Sequence, residues 1–255
     1  MFALTLEQSA DLRDWFLPDR AGPLVGLHVL NSGHGTFYVD RWPGPRAVLV
    51  ESGRNYALLG EPDVLAPGDL LARIVIGSVD ASEHFEPLLR AAFPAMTHWA
   101  RVILELLTTP VRVGPRTGVI VRRLGPGDAS DVAGLDPQLA WISSTWGGPI
   151  GLSASGYAWG AFATGRLVAA ACSFFVGDHY EDIGVVTQPT HRRLGLSMAC
   201  AAGLFDDIKT RGRLPSWTTA TDNHMSLRVA EKLGFVVQRR NRLLIVGGPV
   251  PDSAQ

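Results

Sequence analysis

The chain has 255 residues, of which 46% are hydrophobic and 18% are charged, and its formal net charge is −1. This composition predicts a folded globular protein, and it gives no support to non-specific nucleic-acid binding, which needs a strongly basic surface. The longest apolar run, residues 167–176, is too short to cross a bilayer. We therefore expect neither a nucleic-acid partner nor a membrane partner.

The compartment is predicted from the first residues and from the cysteines. Residues 1–15 lack the basic stretch and apolar segment of a secretion signal. Cys172 and Cys200 both lie in apolar stretches, which favours buried free thiols over a disulfide. Together these features predict a cytoplasmic protein.

The first half of the chain predicts a helix followed by a meander of strands. Thr5 and Gln8 have the spacing of a capping box at a helix start. Three strand-like runs follow, separated by Pro43-Gly44-Pro45 and Ser52-Gly53, at 36–41, 46–51 and 55–59. Residues 97–107 fit either a helix or a buried strand. We find no catalytic motif in residues 1–110.

A short segment rich in proline and glycine, residues 108–118, predicts a domain boundary. It separates an N-terminal α/β domain, 1–110, from a C-terminal domain, 118–255. The second half alternates strands and helices in a mixed α/β order. Its last two strands, 235–238 and 242–246, are predicted to form a closing hairpin.

The stretch 189–199 places Arg192, Arg193 and Gly195 at the start of an apolar helix. The first turn of a helix has unpaired N–H groups and a positive dipole end. Gly195 has no side chain, so a ligand can approach the backbone closely. The pattern predicts a site for phosphate or pyrophosphate. The alternative is an ordinary solvated basic turn.

Two motifs in this half carry a resemblance to a known family. "RRLGLS" (192–197) resembles the R/Q-x-x-G-x-G/A signature of the GNAT N-acetyltransferase superfamily, and "DNHMSLRVAEKLGF" (222–235) resembles its second signature. The likeness covers about 118–246 and is similar to the branch of zwittermicin-resistance-type acetyltransferases. It implies a mixed, mostly antiparallel sheet flanked by helices, with acetyl-CoA as cosubstrate.

The resemblance also assigns the acetyl-CoA contacts. It places the pyrophosphate on the backbone of Arg193, Leu194, Gly195, Leu196 and Ser197, and Arg192, the first residue of the signature, is also assigned to the cosubstrate site. The pantetheine arm would pair with free backbone groups of Val185, Val186 and Thr187. Asn223 either caps its helix or also reaches the arm.

The first half lacks the R-x-x-G-x-G/A run. We expect it to be a degenerate copy of the same fold that does not bind CoA. Its expected role is to cover the substrate or to form a homodimer.

Acetyl transfer to an amine needs a proton acceptor. The carboxylates of "YEDIGVV" are the candidates, because they precede the segment expected to hold the cosubstrate. Glu181 lies eleven positions before Arg192, which resembles the spacing of the base glutamate in histone-type members. Asp182 projects from the opposite face of the strand, so Glu181 is favoured. The alternative is that both are solvent-facing residues at a strand start.

The family's usual proton donor for the departing thiolate is a tyrosine, and here its position holds Ala230. Ser226, Tyr180, His191 or water are the possible substitutes.

Trp141 and Trp146 either line the acceptor pocket, together with a mobile segment at 146–156, or belong to the core. The seven histidines lack ligand spacing, so we expect no metal.

The predicted function is an acetyl-CoA-dependent N-acetyltransferase acting on a small-molecule amine. Two alternatives stay open at this point. One is a CoA-binding module without turnover, and the other is an acyltransferase that uses a longer acyl donor or glycine as acceptor.

Overall fold

The computed structural model describes residues 1–106, 114 and 117–251. Most of the predicted boundary segment, 108–118, lies outside these residues. The strands are β1 (Phe2–Ala3), β2 (Thr36–Val39), β3 (Ala47–Ser52), β4 (Asn55–Gly60), β5 (Gly77–Ala81), β6 (Thr97–Leu106), β7 (Val119–Arg123), β8 (Ala158–Ala163), β9 (Arg166–Val176), β10 (Tyr180–Thr187), β11 (Leu214–Ala220) and β12 (Phe235–Val246). The α-helices are α1 (Leu6–Ala10), α2 (Val25–Ser32), α3 (Pro67–Leu71), α4 (Glu86–Ala92), α5 (Ala129–Ala133), α6 (Pro149–Ala154), α7 (Leu196–Thr210) and α8 (His224–Lys232).

These strands form one twelve-stranded sheet in the order β1-β2-β3-β4-β5-β12-β6-β11-β10-β9-β8-β7. All neighbours pair antiparallel except β4 with β5 and β10 with β11. Apolar clusters line both faces: Ala169 and Ala171 of β9 pack with α7, whereas Ala170 and Cys172 pack on the opposite face. The predicted mixed α/β fold with a mostly antiparallel sheet is confirmed.

The two halves of the chain repeat the same order of elements. Each begins with an edge strand and two helices, continues with three antiparallel strands, and then alternates helix and strand twice. Each half also holds one parallel pair, β4–β5 in the first and β10–β11 in the second. This repetition supports the expectation that the first half is a degenerate copy of the second.

The halves exchange their last strands. β6, from the first half, lies between β11 and β12, whereas β12, from the second half, lies between β5 and β6. The β6–β12 ladder runs from Phe235↔Leu106 to Ile245↔Thr97. The centre of the sheet is therefore built from both halves of the chain.

Several local predictions can be compared with these elements. The capping box of Thr5 and Gln8 is present, and within the ambiguous segment 97–107 the described residues Thr97–Leu106 form strand β6. The predicted hairpin at 235–246 is wrong, because the segment is one strand with a bulge between Val237 and Arg239. The polar residues between its apolar ends suggested a turn, but the long partner strand β6 keeps the ladder continuous.

The two cysteines are free and buried, so the predicted thiols are confirmed. Burial raises the pKa of the Cys200 thiol to about 12, which keeps it protonated and unreactive.

Candidate functional site

A cleft opens between β10 and β11. Their parallel pairing joins Tyr180–Ile183 to Leu214–Trp217 and ends there. Beyond Ile183, β10 continues to Thr187 paired with β9, and β11 continues to Ala220 paired with β6. The facing edges of these two strands have no strand partner within the described chain. An extended ligand arm can add to such an edge as a further strand, and Val185, Val186 and Thr187 lie on it.

A bulge marks the start of this opening. The register of β10 against β9 shifts between Asp182 and Ile183. Bulges bend a strand and re-aim its side chains and backbone groups, often next to active sites. Here the extra residue is Phe174 of β9, and the register shift lies where β10 begins to separate from β11.

The start of α7 follows at the open end of β10. Gly195 is the N-cap residue with φ 76°, and no side chain of the described residues caps the helix. The first intrahelical bond runs from the Ala199 N–H to the Gly195 carbonyl at 3.1 Å. The first-turn N–H groups of Leu196, Ser197 and Met198 therefore precede the helix's own hydrogen-bond ladder and suit an anion. The left-handed backbone at Gly195 explains the need for glycine at this position.

Two arginines flank this turn. Arg193 is exposed and has φ 61°, a conformation that non-glycine residues seldom adopt. Arg192 is partly buried beside it. Such local strain is often found at ligand sites, and the two positive charges add to the positive end of the helix. The geometry supports the predicted anion site.

Glu181 lies on the α7 side of β10 and is completely buried. Its carboxylate accepts two hydrogen bonds from Arg211, each 2.7 Å, and one from Arg213 at 3.2 Å. The hydroxyl of Ser173 donates to the same carboxylate. Both carboxylate oxygens are occupied, so this group has little freedom to receive a proton from a substrate. The structure therefore does not favour Glu181 as the base.

Asp182 lies on the opposite face of β10 and is also buried. Its Oδ1 accepts hydrogen bonds from Ser216 at 2.9 Å and from Thr218 at 3.0 Å, both on β11. Burial raises the pKa of this carboxyl from 3.8 to about 6, against the lowering effect of the two hydroxyls and of the Arg101 and Arg239 charges. A carboxyl with a pKa near 6 is suited to general-base work near neutral pH.

Arg101 is close enough to Asp182 for their charges to interact, and Trp99 contacts Arg101; neither residue was singled out in the sequence. Arg101 on β6 donates through Nη2 to the Thr218 carbonyl at 3.1 Å, and its guanidinium carbon lies 3.9 Å from the ring centre of Trp99. Burial lowers the pKa of Arg101 to about 10, and the charge of Asp182 counteracts this. The sequence does not identify Arg101 or Trp99 as site residues, because residues 97–107 fit a helix as well as a strand. The sequence pattern also does not show which strands lie beside this segment.

Asn223 and Ser226 lie at the start of α8. The Asn223 side chain accepts from the Ser226 N–H at 2.9 Å, so the predicted cap is present, and contact with a ligand arm remains a prediction. The Ser226 hydroxyl accepts from Trp217 Nε1 at 2.9 Å, which leaves its own proton available for donation. Ala230 is completely buried in the core.

The two candidate tryptophans differ in their surroundings. Trp146 is buried, donates to the Ser173 carbonyl at 2.9 Å and stacks on Tyr157 with ring centres 5.0 Å apart. It belongs to the core. Trp141 is 43% exposed, and its ring would lie 3.1 Å from a Cβ added to Gly184. Only Trp141 flanks the opening of β10. The segment expected to be mobile, 146–156, contains helix α6.

The first half has an equivalent opening between β4 and β5. β4 and β5 pair from Asn55↔Ser78 to Leu58↔Ala81 and then separate, leaving a cavity of about 400 Å³. The helix that follows, α3, has only five residues. Asp69 at its start binds the Ala66 N–H at 2.8 Å and the N-terminal ammonium at 2.9 Å. The chain's own carboxylate thus occupies the position that an anion would take at this helix start.

Within residues 1–106, 114 and 117–251, no group of three or more histidine, cysteine, aspartate or glutamate side chains is placed to hold a metal ion. In the same residues, no helix has the length and apolar character to cross a membrane.

Comparisons with known proteins agree with this geometry. The model of a family described as GNAT acetyltransferase matches residues 139–243. An uncharacterized N-acetyltransferase in the mutA 5'region of Streptomyces virginiae is 40% identical over 199 residues, covering 77% of this chain and 84% of that protein.

Two solved structures show the fold over almost the whole length. The crystal structure of a GCN5-related N-acetyltransferase-like protein from Streptococcus suis superposes with a TM-score of 0.70 at 18% identity, covering 94% of this chain and 98% of the other. A tandem GNAT protein from the clavulanic acid biosynthesis pathway gives a TM-score of 0.60 at 19% identity, with 96% of each chain covered. The similarity to a tandem protein matches the repeated order of elements in the two halves.

Proposed function

Because the chain belongs to the GNAT acetyltransferase family, we propose that it is an acetyl-CoA-dependent N-acetyltransferase that transfers an acetyl group directly to a small-molecule amine. The observation that carries the proposal is the separation of β10 from β11 beyond Ile183 and Trp217, with the uncapped start of α7 following it. The unpaired strand edge suits a pantetheine arm, and the helix start suits a pyrophosphate.

The cosubstrate fits the residues present. The first turn of α7 offers N–H groups from Leu196 to Met198, and Gly195 keeps the approach to them open. Arg192 and Arg193 add positive charge at the same end of the helix. When bound, acetyl-CoA supplies the activated acyl group, and the protein's part is to hold that group near the amine.

Asp182 is the proposed general base in place of Glu181. Its Oδ1 is held by Ser216 and Thr218, its pKa is raised to about 6, and it lies beside the bulge at the mouth of the cleft. It receives the proton that a protonated acceptor amine must lose before attack, directly or through one water.

Ser226 is the proposed donor to the departing thiolate. Its hydroxyl accepts from Trp217 Nε1, so the hydroxyl proton points away from that bond. Ser226 takes the role of the tyrosine that the family usually has at the position of Ala230.

The test is thiol release from acetyl-CoA in the presence of a panel of primary amines, with CoA binding measured separately by calorimetry. We expect binding without an amine and thiol release only when an acceptable amine is present. Tight CoA binding without turnover of any amine would favour a non-catalytic module. Faster release from longer acyl donors than from acetyl-CoA would instead favour a different acyl group.

A further inference from the structure

The strand exchange brings residues of the first half into the site of the second half. β6 pairs with β11 from Ser216↔Glu105 to Ala220↔Arg101. Trp99 and Arg101 are two positions apart on this strand and therefore project from the same face. The Arg101 guanidinium reaches the Thr218 carbonyl, and its charge acts on Asp182. The face of β6 that carries these residues is thus the face that carries the proposed base.

Two donors on this face have no acceptor in the part of the chain that the structure describes. Arg101 Nε and Trp99 Nε1 are buried and have no hydrogen-bond partner among the described residues. Buried donors in native proteins are almost always paired, because an unpaired one loses its hydration without compensation. The guanidinium of Arg101 lies 3.9 Å from the Trp99 ring centre, so the unpaired donors belong to contacting side chains. A ligand that accepts from both would satisfy them together.

We propose that Arg101 and Trp99 bind a carboxylate of the acceptor, so that the substrate is an amino acid or another amine bearing a carboxylate. This inference rests on the proposed function, since it names the acceptor class for the same site. A carboxylate has two acceptor oxygens, matching two donors, and it pairs well with a guanidinium. Asp182 nearby disfavours a more highly charged anion such as phosphate, but it suits the ammonium group of a zwitterion.

The arrangement also orients the reaction. With its carboxylate on Arg101 and Trp99, the acceptor directs its amine toward Asp182, beside the bulge between β9 and β10. Asp182 takes the amine proton, the nitrogen bonds to the acyl carbon, and the carbon–sulfur bond breaks with a proton delivered to the sulfur. No oxidant or reductant is needed. An amine without a carboxylate lacks this orientation and leaves both donors unpaired.

The test compares matched acceptors that differ in the carboxylate: glycine with methylamine, β-alanine with ethylamine, 4-aminobutanoate with propylamine, and phenylalanine with 2-phenylethylamine. The series also varies the spacing between amine and carboxylate. In the wild type, we expect kcat/KM for the best carboxylate member to exceed that of its partner by about 10- to 100-fold, as for a hydrogen bond to a charged group.

Three variants locate the effect. Arg101→Lys keeps the charge and removes Nε, Trp99→Phe keeps the ring and removes Nε1, and Arg240→Lys is the control at an exposed position of neighbouring β12. Loss of Arg101 also alters the surroundings of Asp182, but this change affects both amines of a matched acceptor pair. The ratio of the two kcat/KM values therefore isolates recognition of the carboxylate. We expect the ratio to fall at least about 10-fold in Arg101→Lys, less in Trp99→Phe, and to stay unchanged in Arg240→Lys. Retained CoA affinity shows that each variant is folded.

A binding measurement separates this inference from the proposed function. N-acetylglycine and N-methylacetamide are titrated by calorimetry into the protein saturated with CoA. Tight binding of N-acetylglycine that is lost in both Arg101→Lys and Trp99→Phe would support the carboxylate site even without turnover of any amine. Acetylation of bare amines with ratios unchanged by any of these substitutions would confirm the enzyme and overturn the carboxylate site.

Discussion

Arg211 holds both carboxylate oxygens of Glu181, with contacts of 2.7 Å from Nε and from Nη2. Arg211 is the C-cap residue of α7, and Glu181 is on β10. The bidentate pair therefore fixes the end of the helix to the strand whose other end opens the cleft. Its geometry indicates a structural role for Glu181.

Replacing Glu181 with glutamine is expected to lower stability more than activity. The substitution removes a fully buried charge from two arginines that stay partly exposed, so we expect the free energy of unfolding to fall by about 1–3 kcal/mol. CoA affinity should change little. Urea unfolding and calorimetry measure the two effects. A rate loss of 100-fold or more with unchanged stability would instead make Glu181 the base that the sequence favours.

Asp182→Asn is expected to lower activity more than stability, in contrast to the Glu181 variant. Asparagine keeps an oxygen that can accept from Ser216 and Thr218 but cannot take a proton, so we expect kcat to fall about 10²–10⁴-fold with CoA affinity retained. Stability at pH 7 should stay equal or rise, because the fold disfavours the ionised carboxyl. Wild-type turnover in this variant would exclude Asp182 as the base.

The pH dependence follows from the raised pKa of Asp182, about 6 against an ordinary 3.8. The base must be ionised, so kcat/KM should rise between about pH 5 and 7 and then level off for an acceptor whose own ionisation is accounted for. The free energy of unfolding depends on pH in the opposite sense. The stabilising contribution of the Asp182 carboxyl is complete below about pH 4 and is lost as the pH rises through about 6. Both dependences should be absent in Asp182→Asn.

Gly195→Val is expected to weaken CoA binding by at least about 10-fold. Valine disfavours the left-handed backbone that precedes α7, and its side chain obstructs the first-turn N–H groups. Gly212→Val is the matched control, since Gly212 at the other end of α7 has φ 72° and open space around it. Equal losses of affinity in both variants would mean that backbone strain alone causes the effect.

Fragments cut at the segment between the halves are expected to associate. A fragment beginning at residue 118 lacks β6. A fragment ending before residue 118 lacks β12, which lies between β5 and β6 in the whole sheet. Each fragment alone should aggregate through its open sheet edges. Co-expressed fragments should purify as a one-to-one complex. Independent, monomeric folding of 118–255 with CoA affinity would contradict this.

The sequence predicts the local features of the second half well. Gly195 at a helix start and Asn223 as a cap depend on neighbouring residues along the chain, and both positions are as expected. The choice between Glu181 and Asp182 cannot be made from the sequence, for a different reason. It depends on Arg211 and Ser216, whose contacts are set only when helix and sheet pack together. Arg101 was missed for the same reason, because its role follows from the exchange of β6.

The position of β12 makes the order of synthesis matter. β12, Phe235–Val246, follows β1 to β11 in the chain and is a central strand of the sheet. Until β12 has been synthesised, β5 and β6 each have an edge with no strand to pair with. The part of the sheet that carries Arg101 and Asp182 is therefore incomplete until then. The sheet can therefore be completed only after residue 246 has been translated, and a nascent chain stopped before residue 235 would expose edges that favour aggregation.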